Sequence, residues 1–268
     1  GLCDDLHLWI QENSLLHPYQ KSLGPFNGCL EHNFLLRSLL DRYKHQLNLP
    51  LHLIFLDITD AFGTISISTI IVLLSRMGLG PKSCSLIRCL YTGCSTRFMC
   101  GNIITDEIAI NVGVRQGCPL SMLLFNIGIN PILIALDNII AAGAIIANHR
   151  LSCAAYADDL VVFSHTRPGL QIATDKAVEV AKTLNLTFNA SKCAALSSRE
   201  SNAISIMINS VDVVDLKDDD VYIYLGNPFG INVFSTPHTL FANAAQDLES
   251  IVKSNLLPWQ KINAYQTF

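Results

Sequence analysis

Apolar positions along the chain fall into short runs separated by polar turns, and the length and period of each run predict an element. Leu51 to Asp57 (LHLIFLD), just after Pro50, reads as a buried strand ending in a carboxylate. Ser68 to Met77 has helical spacing, with Ser66 or Ser68 to cap it and Gly78 to stop it. Pro81 opens a second helix to about Tyr91, because a first helical turn leaves its N–H groups unpaired anyway. Thr96 to Cys100 and Glu107 to Val112 predict two strands around Gly101-Asn102. Pro119 starts a helix reaching about Asn138. Leu151 to Tyr156 and Leu160 to Ser164 are apolar strands, and only Ala157-Asp158-Asp159 parts them, which predicts a tight hairpin. Leu170 to Leu184 predicts an amphipathic helix. Leu186 to Asn189 and Cys193 to Leu196 predict short strands. A further β segment ends in Tyr224-Leu225-Gly226, and Thr239 to Ser254 closes the chain as a helix. The acidic run Asp218-Asp219-Asp220 reads as a solvated turn. Mixed elements with tight hairpins imply an α+β fold, a largely antiparallel sheet covered by helices on one face.

Composition narrows this picture. Half of the 268 residues are hydrophobic and 15% are charged, which excludes disorder and allows one large domain or two ordinary ones. The apolar stretch from Ile127 to Ala147 is broken by Asn130, Pro131, Asp137 and Asn138, so it reads as a core helix and the strand after it, not a membrane span. The nine cysteines lack C-x-x-C spacing with a nearby His, which excludes a zinc site and fits a reducing compartment. The N-terminus has no signal peptide and no initiator Met, so a piece of a longer protein is expected. The net charge of −4 runs against nucleic-acid binding, which usually draws on a basic balance. Basic surface on segments outside this sequence would reconcile the two.

Three segments carry chemistry. In AAYADDLVVFS (Ala154 to Ser164), two aspartates stand at a hairpin tip between apolar arms, where a plain polar turn would favour Gly or Asn. In LDITDAF (Leu56 to Phe62), Asp57 closes a buried strand, although Asp is also a common helix cap. Together they place strand-end and hairpin-tip carboxylates where neighbouring strands can bring them together. Two carboxylates about 5 Å apart repel by roughly 3 kcal/mol at an effective dielectric of about 20. Neither motif holds a Lys or Arg, so a hard divalent ion is the available relief. Paired ions of that kind stabilise an in-line phosphoryl displacement. Third, GVRQGCPLS (Gly113 to Ser121) brackets Arg115 and Gln116 with glycines that allow close backbone approach to a ligand, or it is a simple strand-to-helix connection.

In order, LDITDAF, GVRQGCPLS, YADDLVVF, LTFNASKC and YLG resemble the successive motifs of reverse transcriptases. PYQKSLGPFNGCLEHNFLL (Pro18 to Leu36) is similar to the stretch that precedes them in non-LTR (LINE-like) retrotransposons. The resemblance implies a right-hand polymerase, with fingers and palm over 1–232 and the start of a thumb over 233–268. It implies RNA-directed DNA synthesis with two Mg²⁺ or Mn²⁺ ions, an RNA template, a DNA primer and dNTPs, in nucleus and cytoplasm. It also assigns residues. Asp57 and Asp158 are the principal metal ligands, Asp159 lies beside them, and the Ile58 carbonyl helps. Phe62 excludes a ribose 2′-hydroxyl. Arg115, Gln116 and Gly117 contact nucleotide and template, and Tyr156 lies near the primer terminus. Lys192 sits by the departing pyrophosphate, and Tyr224, Leu225 and Gly226 form the primer grip. Each assignment has a plainer counterpart: Phe62 as core, Lys192 as a surface lysine, Tyr156 as a cross-strand aromatic.

The chain departs from the family at Gly63, where Asp is usual, and at Ser22-Leu23 in place of a Gly-Phe pair. Gly63 is expected to loosen the turn into the next helix. A decayed copy acting only as a binding module is the alternative reading. A two-metal nuclease is a third, opposed by the nucleotide-handling set around Gln116 and Phe62.

Overall fold

A computed structural model of the chain describes residues 1–23, 28–101, 103–110, 112–115, 117–146, 148–199, 204–232, 249–254, 256–257 and 260–261. Gln116 and most of 233–268, including most of the helix expected from Thr239 to Ser254, lie outside them.

The helices are α1 (Leu2–Glu12), α2 (Gly28–Asp41), α3 (Ala61–Thr64), α4 (Ile67–Arg76), α5 (Pro81–Tyr91), α6 (Pro119–Asp137) and α7 (Arg167–Thr183). The central sheet is built from β1 (His52–Leu56), β2 (Cys153–Tyr156), β3 (Asp159–Ser164), β4 (Ala194–Ser197) and β5 (Val214–Leu216) in the order β5-β4-β1-β3-β2. Every pairing is antiparallel except β4 with β5. β1 is the middle strand and all its residues are buried, which explains an apolar run without alternation.

Helices back both faces of the sheet, not one. Ile54, Leu56, Leu160 and Val162 point into a core shared with α1, α4, α5, α6 and α7. Leu53, Phe55, Val161 and Phe163 point the other way, onto Leu36, Leu39 and Leu40 of α2 and onto a hairpin of β6 (Tyr222–Tyr224) and β7 (Asn227–Phe229). Phe55 stacks on Tyr222 at 4.4 Å between ring centroids. Each fully buried Leu, Ile or Phe contributes about 1.5–3 kcal/mol by leaving water.

α6 is long and apolar enough to cross a membrane by length and composition, but it is packed inside the protein. The polar residues that interrupt it hold the chain around residues 15–22. Asn130 accepts from the His17 N–H (2.8 Å) and donates to the Leu15 carbonyl (3.1 Å). Asn126 donates to the Ser22 hydroxyl (2.7 Å), and Asp137 pairs with the His17 ring (2.7 Å).

Other expectations shift in detail. The strands expected around Gly101 form two short ladders, Cys94–Thr96 with Ile108–Ile110 and Met99–Cys100 with Ile103–Ile104. Leu151 belongs to a separate hairpin, His149–Leu151 with Ala144–Ile146. Residues 186–189 make a single bridge, Ile58 with Phe188, because their backbone bonds go to the loop after β1. Tyr224 ends β6, and Leu225-Gly226 is the turn into β7, with φ of 49° and 75°.

α7 begins with a buried Arg167, 5% exposed, whose guanidinium grips Asp215 next to β4 and donates to the Ile204 carbonyl (3.2 Å). Asp215→Ala would leave a desolvated cation at a helix N-terminus, where the dipole also opposes it. The expected loss is about 2 kcal/mol in urea unfolding, because Asp215 is 43% exposed and Arg167 keeps its bonds to Ser197 and Ile204. A loss below about 1 kcal/mol would place this pair among ordinary surface ion pairs.

Candidate active site

The carboxylates meet because of strand register. β1 and β3 pair Leu56 with Leu160, and one residue further the same register sets Asp57 opposite Asp159. β2 and β3 pair Tyr156 with Asp159, so the connection is the two-residue turn Ala157-Asp158, and Asp159 opens the strand instead of standing in the turn. Ala157 is buried and left-handed, with φ of 52°.

Asp57 is fixed through its backbone. Its carbonyl accepts from the Asn189 N–H (2.9 Å), and its N–H donates to the Cys193 sulfur (3.4 Å). Burial pushes the Cys193 thiol up to about 11, so the group under Asp57 is neutral. Ile58 is buried, and among the described residues no backbone N–H is bonded to its carbonyl. Lys192 is exposed on the turn that holds Asp57, and its carbonyl accepts from the Tyr222 hydroxyl (3.4 Å).

The electrostatics are those of crowded acids. Lost hydration, then Asp158 and Asp57, raise the Asp159 carboxyl to about 6, although part of that residue stays open to solvent. Lost hydration and then Asp57 raise Asp158 too. Among the described residues no Lys or Arg pairs with any of the three. Nor do three acidic, His or Cys side chains among them converge as a complete metal cage. Mg²⁺ does not require one, since it commonly binds through one or two carboxylates together with substrate phosphates. The donor set is all oxygen and suits a hard ion.

The second and third motifs are joined. The Val114 N–H donates to the Phe62 carbonyl (2.7 Å) and the Gly113 N–H to the Ile65 carbonyl (3.1 Å). Gly113 has φ of 90°, and a Cβ there would stand 2.6 Å from the Phe62 carbonyl oxygen, so only glycine fits. Phe62 is half-buried and stacked on Phe125 of α6 (4.6 Å, 16°), which fixes the ring without sealing it in the core. A Cβ at Gly63 would fall 2.2 Å from the Asp60 carboxylate. The Asp60 carboxylate thus fills the space beside Gly63.

Not every expected residue converges here. Arg115 directs its guanidinium to the Leu90 carbonyl at the end of α5 and lies over the Tyr91 ring (5.4 Å), as a cation at a helix C-terminus should. Gly117 is left-handed, φ 83°, with open space where a Cβ would go. Tyr156 is half-buried near His32. Tyr224 is buried, its hydroxyl 3.1 Å from the His32 ring nitrogen.

Two residues near the carboxylates were not singled out from the sequence. The Tyr222 hydroxyl is pushed to about 12 by burial, then by Asp159, Cys193 and Asp57. Its signal was the period-two spacing from Tyr224. Gln20 lies in the stretch from Pro18 to Leu36 that resembles the family, but no role was read for it there; it bonds the backbone of Ala157.

Residues 6–233 match the family described as reverse transcriptase (RNA-dependent DNA polymerase). The chain belongs to the reverse transcriptase family. Its similarity to relatives points to the non-LTR retrotransposon branch. It is 30% identical over 262 residues to the retrovirus-related Pol polyprotein from type-2 retrotransposable element R2DM of Drosophila melanogaster, covering 93% of this chain and 24% of that protein. It is 28% identical to the Pol polyprotein from type-1 retrotransposable element R2 of Popillia japonica, covering 92% of this chain and 36% of that one. The chain thus spans about a quarter to a third of these relatives. Among solved structures, it resembles a telomerase from Candida tropicalis in complex with the TWJ fragment of telomeric RNA. The TM-score is 0.58 at 12% identity, over 94% of this chain and 41% of that one. That likeness supports the fold, a polymerase palm.

Proposed function

We propose that this chain is the polymerase core of a retrotransposon reverse transcriptase, which extends a DNA primer on an RNA template. The observation that carries the reading is the meeting of Asp57, Asp158 and Asp159 at one end of the sheet, with raised carboxyls at Asp158 and Asp159 and no cation paired with them among the described residues. Asp57 and Asp158 would hold two divalent ions, with Asp159 beside them and the Ile58 carbonyl as a further oxygen. Mg²⁺ or Mn²⁺ there would supply charge stabilisation to the attacking and leaving oxygens.

The chain's own residues do the rest. Phe62, braced by Phe125, crowds the sugar and disfavours a 2′-hydroxyl. Gln116 and Gly117 approach the nucleotide and template, and Arg115 joins them by giving up the Leu90 carbonyl. Tyr156 lies by the primer terminus, and Lys192 gives a proton to the departing pyrophosphate. Because Tyr224 is buried, the Leu225-Gly226 turn makes the primer contact and Tyr224 supports it from below. Fingers and palm occupy 1–232 and the thumb begins at 233. The sites of action are nucleus and cytoplasm.

The test is dTTP incorporation on poly(rA)/oligo(dT) by the full-length protein with Mg²⁺ or Mn²⁺, alongside thermal melting with each ion. Template-dependent extension is expected, together with a rise in melting temperature that Asp57→Asn abolishes. Extension that is indifferent to Asp57 would refute the assignment.

A further inference from the structure

We propose that Gln20 is a positioning residue for the aspartate hairpin: its side-chain amide clasps Ala157 from both ends and holds the left-handed turn that presents Asp158 and Asp159. This rests on the polymerase reading given above.

The turn needs an outside restraint. Ala157 stands at φ 52°, a conformation that L-residues other than glycine adopt at a cost and keep only when their surroundings impose it. Gln20 imposes it. Its Oε1 accepts from the Ala157 N–H (2.9 Å), and its Nε2 donates to the Ala157 carbonyl (3.2 Å). One planar group therefore bonds the backbone groups on both sides of the strained Cα. The Ser22 N–H also donates to Oε1 (3.3 Å), which fixes which way the amide faces. Gln20 is 8% exposed, so water does not compete for these bonds.

Gln20 is itself firmly mounted. The Ala155 N–H donates to the Tyr19 carbonyl (3.0 Å) and the Lys21 N–H to the Ala155 carbonyl (3.0 Å), so residues 19–21 lie as a parallel edge beside β2. α6 grips this segment through Asn126, Asn130 and Asp137. A continuous set of contacts thus runs from the core helix through Gln20 to the carboxylates. The residue type follows from the chemistry. A carboxamide offers an acceptor and a donor side by side on one planar head; Glu would set a carboxylate against the Ala157 carbonyl, and Asn is one methylene shorter.

The experiment is steady-state primer extension by the full-length protein carrying Gln20→Ala, Ala157→Gly, or both, with Asp158→Asn as control. Gln20→Ala is expected to lower kcat by about a hundredfold, the scale of a small misplacement at a reacting centre, with little change in KM for dTTP. It should also raise the Mn²⁺ concentration needed for half-maximal rate. Adding Ala157→Gly should recover all but about tenfold of the loss, because glycine adopts the left-handed turn unaided. A purely structural role for Gln20 would not be rescued at residue 157. If Gln20→Ala fails to fold, Gln20→Met keeps the volume, removes both bonds and reads the same quantities.

Wild-type kcat and Mn²⁺ dependence in the Gln20 variant would overturn the proposal. So would a loss that Ala157→Gly does not restore, or a Gln20→Met protein that cannot fold, which would make Gln20 a folding determinant. An active Asp158→Asn would overturn the polymerase reading instead, so the two failures are told apart.

Discussion

Asp158→Asn is expected to cut primer extension by about a thousandfold or more, the equivalent of about 4 kcal/mol of transition-state stabilisation, while leaving the protein folded. The same change should make the metal-free protein slightly more stable. The two effects share one cause. Asp158 is partly desolvated and faces Asp57, so its charge costs stability until a divalent ion answers it. Asn keeps the shape, removes the charge and weakens the ion's hold. Initial rates at saturating Mg²⁺ and thermal melts in EDTA measure the two halves. The gain in EDTA should be about 1 kcal/mol or less, because the site is partly open to water. Undiminished extension would mean that the hairpin tip is an ordinary polar turn.

Stability should fall by several kcal/mol as pH drops from about 6.5 to about 4, and two histidines should account for it. Burial, and to a lesser degree Lys21, holds the His32 ring down at about 4, against a bond to the Tyr19 backbone and the charge of Glu31. Burial, then Arg167 and more weakly His165, does the same at His52, against Asp215. Between about 4 and the ordinary value of 6.5, the unfolded chain binds protons on these rings that the folded protein refuses. Stability is therefore complete above 6.5 and is lost as pH falls, by roughly 3 kcal/mol per ring at the bottom of the window. Asp159 works the other way over part of that range, since its raised carboxyl favours the folded state once protonated. The two histidines outweigh it. Urea melts at pH 7, 5.5 and 4.5, repeated with His32→Gln and His52→Gln, are the measurement. A slope unchanged by both substitutions would locate the acid sensitivity elsewhere.

Much of the site was legible in the residues alone, for local reasons. The run LHLIF reads as a buried strand with Asp57 at its end, and β1 is one, buried along its whole length. The helices beginning at Pro81 and Pro119 announced themselves, because proline suits a first turn. The first fifty residues were less readable. α1 and α2 carry scattered polar positions, α1 has no side-chain cap bond, and their burial comes from faces that other segments supply. Period and capping do not say which core a helix will meet.

The residues alone named the chemistry: a carboxylate at the end of one apolar strand and two at a hairpin tip, glycines at Gly113 and Gly117, and an ordered set of motifs resembling one family. How those groups are held follows from the packing of the whole chain. It set Asp57 across from Asp159 by register, covered the second face of the sheet with α2, sent Arg115 to the end of α5 and clasped Ala157 with Gln20. The difference is one of range. A residue's own propensity and its near neighbours fix strands, turns and charges, whereas a bond such as Gln20 to Ala157 joins positions 137 apart, whose meeting depends on how every intervening element packs.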